Sequence, residues 1–93
     1  MTQIELQDSG SKGRYVYVRD GKEAEMTFVK ATTGEMIIDH TFVPPSWRGQ
    51  GVAAELMDYV VADARSRGLK IRPVCSYVVA AFRRHPEWAD LLA

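Results

Sequence analysis

Three places in this chain carry residue types that do chemistry: the run Arg48-Gly49-Gln50-Gly51-Val52-Ala53, the lone Cys75, and His40. The run stands between a β-prone stretch and an amphipathic one. A helix start leaves its first N–H groups unpaired, and those groups take either a side-chain cap or an anion. Ser, Thr, Asp and Asn, the usual caps, are absent from residues 48 to 54. Gly49 and Gly51 allow the backbone to curl and a bulky ligand to approach. Arg48 adds a cation, so the run has the makings of a phosphate cradle. It lacks the Gly-Lys-Ser/Thr ending of a nucleotide P-loop and the spacing of a dinucleotide Gly-x-Gly-x-x-Gly. The competing reading is a turn that merely links strand to helix.

Cys75 stands just before a predicted helix, where the N-terminal dipole lowers a thiol pKa and favours a nucleophile. A small buried apolar residue is the alternative. His40 lies in an apolar, β-prone stretch, and histidine ordinarily titrates near neutral pH, which suits a general base. By strict alternation His40 shares a face with Met36, Ile38 and Phe42, which would make it a packing residue. A strand bulge would reverse that facing.

The elements that must hold these residues follow from pattern. Residues 1 to 13 are polar and end in Asp8-Ser9-Gly10-Ser11-Lys12-Gly13, which reads as a turn-rich lead. Arg14 to Arg19 is β-branched and aromatic, and Asp20-Gly21 fits a tight hairpin. Lys22 to Lys30 alternates Ala24, Met26 and Phe28 against Glu23, Glu25 and Thr27, the period of a half-buried strand. Met36 to Val43 forms a third strand, ended by Pro44-Pro45. Val52 to Arg67 is an amphipathic helix with its stripe at Val52, Leu56, Val60 and Ala64, and Gly68 is placed for a left-handed cap. Leu69 to Cys75 reads as a short strand and Ser76 to Arg84 as a second helix, stopped at His85-Pro86. The expected fold is α/β (α+β): a four-stranded, mainly antiparallel sheet in the order β-β-β-α-β-α, one domain over residues 1–93.

Composition narrows the function classes. With 46% hydrophobic and 26% charged residues the chain is globular, and twelve Lys and Arg balance twelve Asp and Glu. No general attraction to nucleic acid or anionic lipid follows. No apolar run approaches the roughly 20 residues of a membrane span. Met1-Thr2-Gln3-Ile4-Glu5 lacks a leader pattern, and a single cysteine suits a reducing compartment, so a cytoplasmic location is expected. Two histidines forty-five positions apart and one cysteine form no metal-ligand spacing, so no metal is expected.

Arg48, Gly51 and Ala53 also fill the pattern Arg/Gln-x-x-Gly-x-Gly/Ala, which resembles the pyrophosphate-binding motif of the GNAT acetyltransferase superfamily. The strings His40-Thr41-Phe42-Val43-Pro44, Pro73-Val74-Cys75-Ser76-Tyr77 and His85-Pro86-Glu87-Trp88 are similar to its short single-domain, YjdJ-like branch, across nearly the whole chain. The resemblance implies acetyl-CoA as co-substrate, with coenzyme A bound by Arg48, Gly49, Gln50, Gly51, Val52 and Ala53. It implies that the strand end at Phe42 and Val43 aligns the pantetheine arm, with the thioester in a splay between that strand and the next. Arg83 or Arg84 would reach the 3′-phosphate. Catalysis would fall to Cys75 as acetyl acceptor, His40 as base, or Tyr77 as acid toward the departing thiolate. The acceptor would be an unidentified small-molecule or protein amine, and the chain a monomer or weak homodimer. The alternative function is a coenzyme A binding module or partner subunit without useful transferase activity. Larger members carry N-terminal helices for which this chain has no length.

Overall fold

Asp20 and Gly21 both take positive φ, 52° and 73°. Two residues therefore suffice to turn strand β2 (Lys12–Arg19) into β3 (Lys22–Lys30), as the twist of a tight hairpin requires. The computed structural model describes residues 3–93. Around the hairpin stand β1 (Ile4–Asp8), β4 (Met36–Phe42), helix α1 (Val52–Arg67), β5 (Ile71–Pro73) and helix α2 (Ser76–Arg84). Short 3-10 turns cover Pro45–Trp47 and Pro86–Leu91. The sheet runs in the order β1-β2-β3-β4-β5; the first three pairings are antiparallel and β4–β5 is parallel.

Five strands replace the four expected. The stretch read as a turn-rich lead contains β1, whose Ile4 and Leu6 pack against the core while Glu5, Gln7 and Asp8 face water. Met1 and Thr2, the start of that stretch, lie outside the described residues. Gly13 lies inside β2, where a Cβ would sit 2.5 Å from the Gln7 carbonyl oxygen and 2.7 Å from Phe28 Cζ. Only glycine lets β1 close on β2 there.

Both helices pack on one face of the sheet. Tyr15, Ala24, Met26, Phe28, Met36 and Ile38 meet Leu56, Met57, Val60, Val61 and Ala64 of α1 and Val78, Ala81 and Phe82 of α2 in one core. Gly68 closes α1 with φ 67°, its N–H bonding the carbonyls of Ala64 and Arg65. The opposite face, with Arg14, Glu23, Glu25 and Thr27, carries no helix among the described residues.

At the far end of α1 the Tyr15 hydroxyl donates to Asp63 at 2.7 Å, and Arg67 pairs with Asp63 at 3.0 Å. Burial, then the Asp63 carboxylate, pushes the Tyr15 phenol far above its ordinary range. Tyr15→Phe is expected to lower stability by about 1 kcal/mol at neutral pH, read as a lower urea midpoint. Because the folded pKa is raised, this group's contribution is fully present below about pH 10 and fades as pH rises further. The variant should therefore show a shallower alkaline loss of stability than the parent.

Candidate functional site

Pro44 and Pro45 end β4, and the 3-10 turn that follows buries Trp47 edge-on against Tyr17, ring centroids 5.8 Å apart. From this anchor the chain passes through Gly49 (φ 83°) and Gly51 (φ 77°) into α1. Gly51 is the N-cap, and no side chain caps the helix. The first bond of the helical ladder runs from Glu55 N–H to the Gly51 carbonyl at 3.0 Å. The N–H groups of Val52, Ala53 and Ala54 precede it and have no backbone acceptor among the described residues. A Cβ at Gly49 or Gly51 would meet nothing within 4 Å. These glycines therefore serve their left-handed backbone and the open space before the helix, rather than packing. Arg48 is exposed beside them. Gln50 is different: its Oε1 accepts from Arg19 at 2.6 Å and its Nε2 donates to the Ser46 carbonyl at 3.2 Å. The Gln50 side chain is thus engaged in shaping the loop.

Beside this loop the sheet opens. β5 pairs with β4 only from Met36↔Ile71 to Ile38↔Pro73, and the Ile38 carbonyl then accepts from both Val74 and Cys75 N–H at 3.0 Å. At the same point β4 bulges. Phe28 pairs with Ile38 and Thr27 with His40, leaving Asp39 as the extra residue. The Thr27 hydroxyl donates to Asp39 Oδ1 at 2.6 Å.

The bulge overturns the strict-alternation expectation for His40. His40 and Phe42 point to the helix-free face opposite Thr27 and Glu25, both exposed, while Thr41 pairs with the buried Met26 and turns inward. Val43, half-buried, packs against the core. Cys75, the N-cap residue of α2, meets Thr41: its Sγ lies 3.4 Å from Thr41 Oγ1. Burial works to raise the thiol pKa, but the Thr41 hydroxyl and the nearby N–H groups of Val78, Tyr77 and Thr41 outweigh it and hold the thiol below its ordinary value. The side chain that meets the Cys75 thiol is that of Thr41; neither the His40 ring nor the Tyr77 phenol hydrogen-bonds it. Thr41 was given no role by sequence reasoning, since thirty-four positions separate the pair.

A lowered pKa populates the thiolate at lower pH than in free cysteine, near 8.5. The rate of Cys75 alkylation by iodoacetamide should therefore reach half its maximum at a lower pH than in Thr41→Val. The variant's midpoint moves upward because a hydroxyl donor to the thiolate is lost.

An uncapped glycine loop at a helix start, beside strands that part at a bulge, is a combination that comparison can test. The family model for GCN5-related N-acetyl-transferases matches residues 14–91. The chain belongs to this family. A solution structure of a GCN5-like protein from Staphylococcus aureus is similar over 100% of this chain and 91% of its own, with 29% identity and a TM-score of 0.68.

Other residues expected in an acetyltransferase site are spread around it. Tyr77 lies in the crevice between α1 and α2 with Ala54, Met57, Asp58 and Arg84. Burial pushes its phenol pKa up, opposed by Arg84 and reinforced by Asp58. Arg83 lies on the other flank of α2, in a depression with Pro73, Val79, Phe82 and Leu92. Arg84 shares the crevice that reaches the first turns of α1, and Arg83 does not. His85 stacks on Trp88 with ring centroids 4.0 Å apart, an aromatic anchor behind α2. A groove of about 700 Å³ lies between β1, β2 and α1 and is lined by none of Cys75, His40 or Tyr77. Among the described residues no group of acidic, His or Cys side chains is placed to hold a metal, and no helix is long and apolar enough to cross a membrane.

Proposed function

We propose that this chain is an acetyl-CoA-dependent N-acetyltransferase, a minimal domain of the short YjdJ-like branch, acting on an amine acceptor. The observation that carries the proposal is the open start of α1. Gly51 holds it in a left-handed conformation, no side chain caps it, and the space before it is empty. Such a site fits a diphosphate, which takes up unpaired N–H groups and gains from the helix dipole. Arg48 adds charge, and Arg84 is the better placed of the two α2 arginines for a further phosphate.

Acetyl-CoA supplies the activated acyl group. The residues of this chain would orient and receive it: the free edge of β4 beyond Ile38 offers backbone groups to an extended arm. The Cys75 thiolate is the nucleophile, held by Thr41, and takes the acetyl group as a thioester while the coenzyme leaves as a thiolate. An amine then displaces Cys75, losing its proton to a base, for which exposed His40 on the helix-free face is the candidate. The single cysteine fits a reducing, cytosolic setting, with the chain a monomer or weak homodimer.

Thermal unfolding with and without acetyl-CoA, paired with an assay for free thiol release, tests the proposal. At about 100 times the dissociation constant a bound ligand adds roughly 2.7 kcal/mol of stability. No stabilisation would refute the proposal outright. Stabilisation without thiol release across a broad amine panel would instead identify a coenzyme A binding module.

A further inference from the structure

We propose that Arg19, at the end of β2 and outside the glycine loop, is a positioning residue for diphosphate recognition, acting through Gln50. The inference rests on the acetyl-CoA reading of the loop and names the part of the fold that sets its shape.

Gln50 sits between two residues with positive φ, Gly49 and Gly51. Glycine loses more backbone freedom on ordering than any other residue, so a loop with this arrangement tends to fray unless it is tied down. The tie comes from the β2–β3 hairpin. Arg19 Nη2 donates to Gln50 Oε1 at 2.6 Å, and its guanidinium lies 4.8 Å from the centroid of the Trp47 ring. Trp47 is buried, so it offers the cation a fixed plate on which to rest. Gln50 Nε2 closes the arrangement on the Ser46 carbonyl, and the Ser46 hydroxyl accepts from Lys22 at 2.9 Å, across the same hairpin. Both ends of the turn are thereby fastened to one rigid element. The planar guanidinium suits this double task of stacking and directed donation better than a lysine ammonium would. Order present before the ligand arrives need not be supplied by binding, so it appears as affinity.

The role is specific in what it predicts. A brace on the loop matters to ligands that contact the loop, and not to the pantetheine end. In ligand-free protein, hydrogen exchange of the Gln50 amide, which donates to the Trp47 carbonyl at 3.1 Å, should quicken at least about 5-fold in Arg19→Ala, with the amides of α2 unchanged. Titration of the same variant should weaken coenzyme A binding about 10-fold. S-acetylpantetheine, which has no phosphate, should bind within about 2-fold of the parent. The double variant Arg19→Ala/Gln50→Ala should bind coenzyme A no more weakly than the worse single variant, because both changes release the same tether.

Unchanged loop exchange would overturn the proposal, as would unchanged coenzyme A affinity. Additive losses in the double variant would also overturn it and would mean that Arg19 touches the ligand itself. Equal weakening of both ligands would reduce Arg19 to a general stabiliser of the fold. If the parent protein binds no coenzyme A at all, the acetyl-CoA reading fails and takes the diphosphate role with it. The exchange experiment, needing no ligand, still separates that failure from the absence of a brace.

Discussion

In Gly51→Val, coenzyme A affinity is expected to fall at least about 30-fold, equivalent to roughly 2 kcal/mol. Gly51 holds φ 77° as the N-cap of α1. A left-handed backbone costs a side-chain-bearing residue about 1–2 kcal/mol, and a β-branched one is the least suited to it. The variant must either keep this strain or swing the loop out of shape and misdirect the N–H groups of Val52 and Ala53. Nothing lies within 4 Å of a Cβ at this position, so no internal clash contributes. Gly34 makes the matched control: it has φ 97° and equally open surroundings in the β3–β4 turn, away from the site. Gly34→Val should lose comparable stability and bind coenzyme A normally. If Gly51→Val loses only stability, as Gly34→Val does, the loop is a connector and the proposed function is wrong.

The second large effect belongs to Cys75. Cys75→Ala should lower turnover by on the order of 100-fold or more while leaving the coenzyme A dissociation constant within about 2-fold. That split is the mark of a group used in the chemical step rather than in binding. Brief exposure of the parent protein to acetyl-CoA should leave an acetyl adduct on Cys75 by mass spectrometry, and Cys75→Ser should show none there. Undiminished turnover in Cys75→Ala would dismiss the covalent route and transfer attention to direct attack assisted by His40. Thr41 gives an internal check, since it reaches Cys75 but not the diphosphate loop: Thr41→Val should weaken turnover without the affinity loss seen in Gly51→Val.

Local signals in the chain were dependable where the structure is local. The limits of α1 at Val52 and Arg67, the cap at Gly68, α2 from Ser76 to Arg84 and the hairpin at Asp20-Gly21 all follow from apolar spacing and glycine placement. β1 escaped because Ile4 and Leu6 offer only two apolar positions among polar neighbours. Its stability comes from pairing with β2 and from the close approach at Gly13, which no window of sequence displays. The glycine loop could be found because a helix start without a capping residue is itself a local feature. The partners of that loop could not. Arg19 and Gln50 are separated by thirty-one positions, and Thr41 and Cys75 by thirty-four. Such meetings are products of tertiary folding, as is the inward turn of Thr41.

Asp39 makes that last point into a matter of parity. Along a strand, odd and even positions look in opposite directions, and one supernumerary residue exchanges the two sets for everything downstream. Excising Asp39 would close the bulge and leave Thr41 inward, whereas pairing Asp39 in regular register would send Thr41 toward solvent and draw His40 and Phe42 inward, with every letter of the sequence intact. The thiol at residue 75 owes its hydroxyl neighbour to the register in which β4 pairs as much as to the kinds of its residues.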